Sequence, residues 1–383
     1  MAKKEKRTIK LKTKEGIRSG DFWLMLIVMM LVIFGLIMVF SASYYYSLSQ
    51  EGNAYKYLMK HGAWVIIGSG AMIFASLIDY KIYKKLAFPL LIFGLILLLL
   101  IFTPLGWEVN GATRWLNLGI TIMPGELAKL FSILFVASYL SEDPDRIKSF
   151  KHGVLPMFGL MAVYGGLIIK QPNLSTAITV CGIIVCMMLV AGWSWKWIGA
   201  FVAAGAAGVL FIITFMKDHY WYSRLTSFLD PFQDSLGEGY QAVQSLLALG
   251  SGGLTGVGLG KSVQKNLYLP EPQNDFILAI IGEELGYLGI LALIIVYCCF
   301  IYRGARIAMN APDQFGVLLG SGIVLMVGIQ VVLNIAVVTS SMPATGINLP
   351  FISYGGNALL IFMFCSGILI NISRHEPRGT GVK

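Results

Sequence analysis

The chain has 383 residues, 56% of them hydrophobic and only 13% charged, with a mean hydropathy of +0.73. A soluble domain carries about a quarter charged residues, so an array of soluble domains is excluded, and the length is better counted in apolar spans of about 20 residues. The formal net charge of +9 needs no nucleic acid to explain it, because lysine and arginine cluster between those spans.

In chain order, a basic cytoplasmic tail of residues 1–21 comes first, placed to orient the first helix and to touch anionic membrane lipids. The run at 22–44 follows. It exceeds the 7–15 apolar residues of a secretory signal, so an uncleaved helix is expected despite the small residues Ser41, Ala42 and Ser43. Further runs lie at 62–79, 86–103, 125–140, 154–169, 174–191, 197–216, an eighth ending at Tyr302, 315–338 and 349–371, before a tail of 373–383. They are continuously apolar, not alternating, which predicts helices and not a barrel. The fold class expected is an all-α polytopic membrane protein of ten transmembrane helices. Connections on the side of the termini hold twenty lysines and arginines and those opposite hold eight, which predicts cytoplasmic termini. The five cysteines fall inside spans without paired-ligand spacing, so neither a disulfide nor a metal site is expected.

Among the outer connections, 104–124 and 217–274 carry content. Long connections tend to be functional or disordered, and the apolar run 243–249 favours a structured cap. Residues 259–262, LGKS, end like a phosphate-binding loop, but Thr255 stands where that motif needs glycine. Two readings remain for this stretch. One is a tether; the other is a cradle of backbone N–H groups with Lys261 and Lys265 for a pyrophosphate.

Charges inside apolar spans are costly and point to function. Glu126 and Lys129 in GELAKL stand three apart on one helix face, as a locking ion pair or in a direct role. Arg114 precedes them at the outer interface, placed beside Lys129 to hold a phosphate, with Trp115 as a belt residue. In YLPEPQNDFILAIIGEELGYLG, a helix from Asp275 to Tyr302 would run about 42 Å against about 30 Å of hydrocarbon. Residues 285–302 suffice to span. The piece 275–284 is then an outer extension, a tilted entry or a kinked half-helix facing a polar cavity, with Glu283 and Glu284 at the junction in structural roles. For Asp275 the choice is between a helix N-cap and a catalytic base.

PEPQNDFILAIIGEELGYLG, GYQAVQSLLALGSGG, GLGKSVQKNLYLPE, GATRWLNLG with GELAKL, and TGINLPFISYGG together resemble the SEDS family of FtsW, RodA and SpoVE proteins over essentially the whole chain. The wording is nearer FtsW and SpoVE than RodA. The resemblance implies a ten-helix SEDS domain over 22–372, with a large extracellular loop, 217–274, between helices 7 and 8. It implies a peptidoglycan glycosyltransferase that polymerises lipid II at the outer face of the bacterial cytoplasmic membrane, in cell division or spore cortex synthesis. Asp275 is then the expected base on the acceptor's GlcNAc 4-hydroxyl, which attacks the donor's anomeric carbon and expels undecaprenyl pyrophosphate. Arg114, Lys129, Lys261 and Lys265 are candidates to neutralise that leaving group, optionally with a divalent cation (Mg or Mn). Glu126, with Gln244 and Ser353 of the matching motifs, completes the expected substrate-binding set. The implied partner is a class B penicillin-binding protein with a single membrane helix. Departures from the family wording are QPNLSTA, with Asn173 for an acid and Ser175 for a glycine, and MPGE and SYGGNA elsewhere. Competing readings are a lipid II flippase and a scaffold for the partner.

Overall fold

The computed structural model describes residues 20–109, 112–117, 119, 121–194, 239–343 and 345–375, with isolated positions between 195 and 238. The expected seventh span, 197–216, and the first part of the long outer loop, 217–238, fall outside the described residues except at those positions.

The helices are α1 (Phe22–Glu51), α2 (Lys56–Leu77), α3 (Lys81–Leu100), α4 (Pro124–Ser141), α5 (Leu155–Lys170), α6 (Leu174–Val190), α7 (Tyr240–Gly252), α8 (Ile277–Met309), α9 (Gln314–Val338) and α10 (Gly356–Arg374). Among the described residues seven helices are long and apolar enough to cross a membrane: α1, α2, α3, α5 with its leading π turn, α8, α9 and α10. The other two expected spans are α6, which is apolar but shorter, and α4, which carries Glu126 and Lys129. α7 lies in the long connection that precedes α8.

The side chains sort as a bilayer solvent demands. Ile66, Ile73 and Phe88 are left exposed on outward faces, while Met363, Cys365, Ile368 and Leu369 of α10 are fully buried at the centre. α10 packs so closely on α2 that a Cβ at Gly367 would collide with the Met72 carbonyl. Such close approach through a small residue is how helices associate without a hydrophobic drive between them. α1 starts where Asp21 caps it, accepting from the Leu24 N–H at 2.8 Å, and Asp21 also pairs with Arg303 of α8 at 2.9 Å.

The connection 104–124 departs from the all-helical expectation. It forms a small antiparallel sheet, β1 (Gly106–Val109), β2 (Ala112–Asn117) and β3 (Thr121–Ile122), with Trp107 opposite Trp115. This sheet carries Arg114.

α8 resolves the length problem by breaking. Gly286 adopts φ 68°, ψ −169°, a region open essentially to glycine, and splits off a buried half-helix ahead of the spanning part. A break at membrane depth frees polar groups that lipid cannot satisfy. The long loop supplies them: the Tyr287 and Leu288 N–H groups donate to the Gly253 and Leu254 carbonyls at 2.9 and 3.1 Å. In return the Glu283 and Glu284 carbonyls accept from the Val257 and Gly258 N–H groups, both at 3.0 Å. A Cβ at Gly286 would also meet the Leu254 backbone. Gly286→Ala is therefore expected to lower the thermal unfolding midpoint in detergent, with backbone strain alone costing about 1–3 kcal/mol; an unchanged midpoint would show that the kink does not depend on this glycine.

Candidate active site

A cavity of ≈ 1230 Å³ opens where the β-sheet, the segment before α8 and the segment before α10 meet; Arg114, Glu126, Lys129, Glu271 and Asp275 all line it. Asp275 sits just ahead of α8. It does not cap that helix: the N-cap position is Phe276, and no side chain bonds the first turn. The N-cap reading is thereby set aside, and the carboxylate is left to the cavity.

Its backbone is held from two sides. The Asn334 amide of α9 donates to the Asp275 carbonyl at 2.9 Å and to the Ile347 carbonyl at 2.7 Å. Ser353 Oγ donates to the Asn274 carbonyl at 2.6 Å while accepting from the Leu349 N–H at 2.7 Å, and the Tyr354 N–H donates to the Gln273 carbonyl at 2.9 Å. This stitching explains why α10 begins only at Gly356, later than the apolar run starting at 349 predicts. It also corrects the expectation for Ser353, which is buried beneath the segment and positions it, without lining the cavity.

The electrostatics at Asp275 pull in two directions. Burial pushes its carboxyl up and Glu271 adds to the rise, while Arg114 opposes it, leaving the group at about 7. Asp275 and Arg114 flank Gly346: a Cβ there would lie 2.9 Å from Asp275 Oδ2 and 3.8 Å from Arg114 Nη1. Arg114 is steadied by donating to the Pro172 carbonyl at 2.5 Å. Ser175 Oγ donates to the Gly346 carbonyl at 3.0 Å, and Asn173 caps α6 by accepting from the Thr176 N–H at 3.3 Å. The two departures in QPNLSTA thus serve as helix cap and loop anchor.

At the floor, Lys129 Nζ bonds Glu126 at 2.7 Å and Gln330 Oε1 at 3.0 Å, with both charged side chains almost wholly buried. The locking ion pair forms, and it lies in the cavity lining. Below it, Ile133, Ile323, Met326 and Met187 are fully buried.

Besides Ser353, three expected ligands are not brought to the cavity. Lys265 is buried in an ion pair with Glu284 at 2.7 Å and donates to Ser41 Oγ at 3.1 Å. Lys261 stays exposed on the outer loop and lines no part of the cavity. The backbone cradle does exist, but the protein fills it. Glu283 accepts from the Val263 and Gln264 N–H groups at 2.8 and 3.3 Å and from Ser262 Oγ at 2.5 Å. The Ser262, Val263 and Gln264 donors are thus met by a carboxylate of α8 and are not offered to a pyrophosphate. Gln244 is also displaced: Gln241, nearly a turn earlier on α7, lines the cavity in its place.

Lining residues missed from sequence include Lys60, Lys170, Trp64 and Glu271. In sequence the two lysines register only as charges in the connections. Gln330 and Asn334 had a signal that went unread, two amides one turn apart inside the apolar run of α9. Among the described residues no three or more His, Cys, Asp or Glu side chains converge to hold a metal ion. Asp275 and Glu271 offer two carboxylates at most, so a divalent cation held there would draw its other ligands from substrate oxygens, as magnesium commonly does.

The cell cycle protein family of FtsW, RodA and SpoVE matches residues 22–378. The chain belongs to that family. It is 38% identical over 366 residues to a probable peptidoglycan glycosyltransferase FtsW of Geobacter metallireducens, covering 95% of this chain and 97% of that one. It is 39% identical over 361 residues to the stage V sporulation protein E of Bacillus subtilis, covering 94% and 98%. Among solved structures, a chain of a peptidoglycan synthase complex that coordinates polymerisation and crosslinking superposes with a TM-score of 0.77 at 25% identity, covering 94% of this chain and 99% of that one. This member of the family is a multi-pass membrane protein of the SEDS fold.

Proposed function

We propose that the protein is a peptidoglycan glycosyltransferase that polymerises lipid II, with Asp275 as its general base. The observation that carries the reading is the Asp275 carboxyl, raised to about 7 beside Arg114 and Glu271, in a large cavity that Lys60, Lys129 and Lys170 also line. A base works best with its pKa near the operating pH. Asp275 takes the proton from the acceptor's GlcNAc 4-hydroxyl as that oxygen bonds the donor's anomeric carbon. The anomeric bond to undecaprenyl pyrophosphate breaks, and the leaving diphosphate departs as an anion. That group needs charge neutralisation more than protonation, so one carboxylate suffices. Arg114 and Lys129, with Lys60 and Lys170 at the rim, supply positive charge, and a magnesium or manganese ion at Asp275 and Glu271 would add to it.

The bias of lysine and arginine in the connections supports cytoplasmic termini and a cavity at the outer face. The proposed partner is a class B penicillin-binding protein with one membrane helix, which crosslinks the strands made here. The apolar packing beneath Lys129 favours polymerisation over lipid transport, since a flippase needs a polar route onward for the headgroup.

The test is the pH profile of glycan formation from lipid II by the full chain with that partner. kcat/KM is expected to rise with pH through about 7 as Asp275 ionises. Glu271→Gln removes a neighbouring negative charge and should move that limb to lower pH; Arg114→Gln removes the opposing cation and should move it higher. Limbs that ignore both substitutions would exclude Asp275 as the titrating base.

A further inference from the structure

A second pocket lies at the other end of the bundle. α9 begins there at Gln314 and reaches the backbone of Asp275 at Asn334, a rise of about 30 Å at 1.5 Å per residue. The pocket has a volume of ≈ 340 Å³ and is lined by Lys81, Lys84 and Lys85 of α3, Ser141 of α4, and Asp313 and Phe315 at the start of α9.

Its charge is unbalanced. Asp313 faces three lysines but is already engaged: Oδ2 accepts from the Tyr80 hydroxyl at 2.6 Å, and Oδ1 caps α9 through the Gly316 N–H at 2.8 Å. Only Lys81 reaches it, at 3.8 Å. Among the described residues neither Lys84 nor Lys85 makes an ion pair. Lys84 Nζ instead stands 6.0 Å over the Phe315 ring, half-buried.

An apolar strip leads away from these lysines. Lys81, Lys85, Phe88 and Ile92 follow one face of α3 at helical spacing, and Phe88 and Ile92 remain 63% and 41% exposed. A charged head at the lysines would therefore continue into an apolar tail along Phe88 and Ile92. We propose that this pocket is a binding site for a phosphate-bearing anionic phospholipid in the leaflet opposite the active cavity. Basic pockets between helices recognise such headgroups, and the attached apolar strip selects the lipid over soluble phosphate. The site stands whatever reaction the cavity catalyses.

The test is native mass spectrometry of the full chain released from micelles holding equal amounts of phosphatidylglycerol and phosphatidylcholine. Phosphatidylglycerol is expected to be retained at least about tenfold better. The K81Q/K84Q/K85Q variant should fall to the phosphatidylcholine level, and K81R/K84R/K85R should keep the preference. K148Q/K151Q, which neutralises lysines on the neighbouring connection, should leave it unchanged. Three results would overturn the proposal: full retention in K81Q/K84Q/K85Q, an equal loss in K148Q/K151Q that reveals only diffuse surface charge, or displacement by glycerol 3-phosphate at matching concentration that reveals a soluble-phosphate site. Monodispersity of each variant is checked first, and loss of preference in a monodisperse K81R/K84R/K85R counts against the site as well.

Discussion

Glu284→Ala is expected to destabilise the folded protein in detergent by about 3–5 kcal/mol, because it leaves a buried ammonium without its partner. Glu284 and Lys265 are 0% and 2% exposed at the side chain, and the same carboxylate accepts from Ser41 Oγ at 2.7 Å. One residue thus ties α1, the outer loop and the half-helix that leads from Asp275. A pair so buried adds little over an apolar substitute, yet breaking it is costly. Glu284→Gln combined with Lys265→Met should therefore recover most of the stability lost by Glu284→Ala alone, read as thermal unfolding of the purified chain. A midpoint in Glu284→Ala equal to that of the parent would mean that the lock carries no stability.

Asp275→Asn is expected to reduce polymerisation by about 10²–10⁴-fold, the usual worth of a positioned general base, with lipid II affinity changed by no more than a few fold. The split follows from the site. With its pKa at about 7, a large share of Asp275 is already neutral near neutrality, and asparagine mimics that form in size and charge. The segment is held through the Asn274 and Asp275 carbonyls and not through the carboxylate, so the geometry should survive. Equal losses of affinity and turnover would point to a binding role for Asp275.

Much of this was legible before any coordinates. Spans and the helix break follow from lengths of apolar runs, because the bilayer fixes how far a helix must reach. Glu126 and Lys129 stand out because a charge in an apolar setting costs free energy, whereas the residues alone leave Asp275 open between N-cap and base, and only the family resemblance implies the base. The errors have a common cause. Lys265 and the loop 262–264 look free in sequence, and only the folded chain brings Glu283 and Glu284 against them. The sheet around Arg114 is set by pairing between strands, which apolar counting does not register. Ser353 and Gln244 came with motifs, and a motif says that a residue matters without saying which way its side chain faces.

The most direct test of the central claim is lipid II turnover in detergent, where there is no second compartment and a transporter has nothing to do. The full chain with the proposed crosslinking partner is predicted to convert lipid II into glycan strands, and Asp275→Asn to bind lipid II but form none above background. Strands formed by Asp275→Asn at the parent rate would contradict the account.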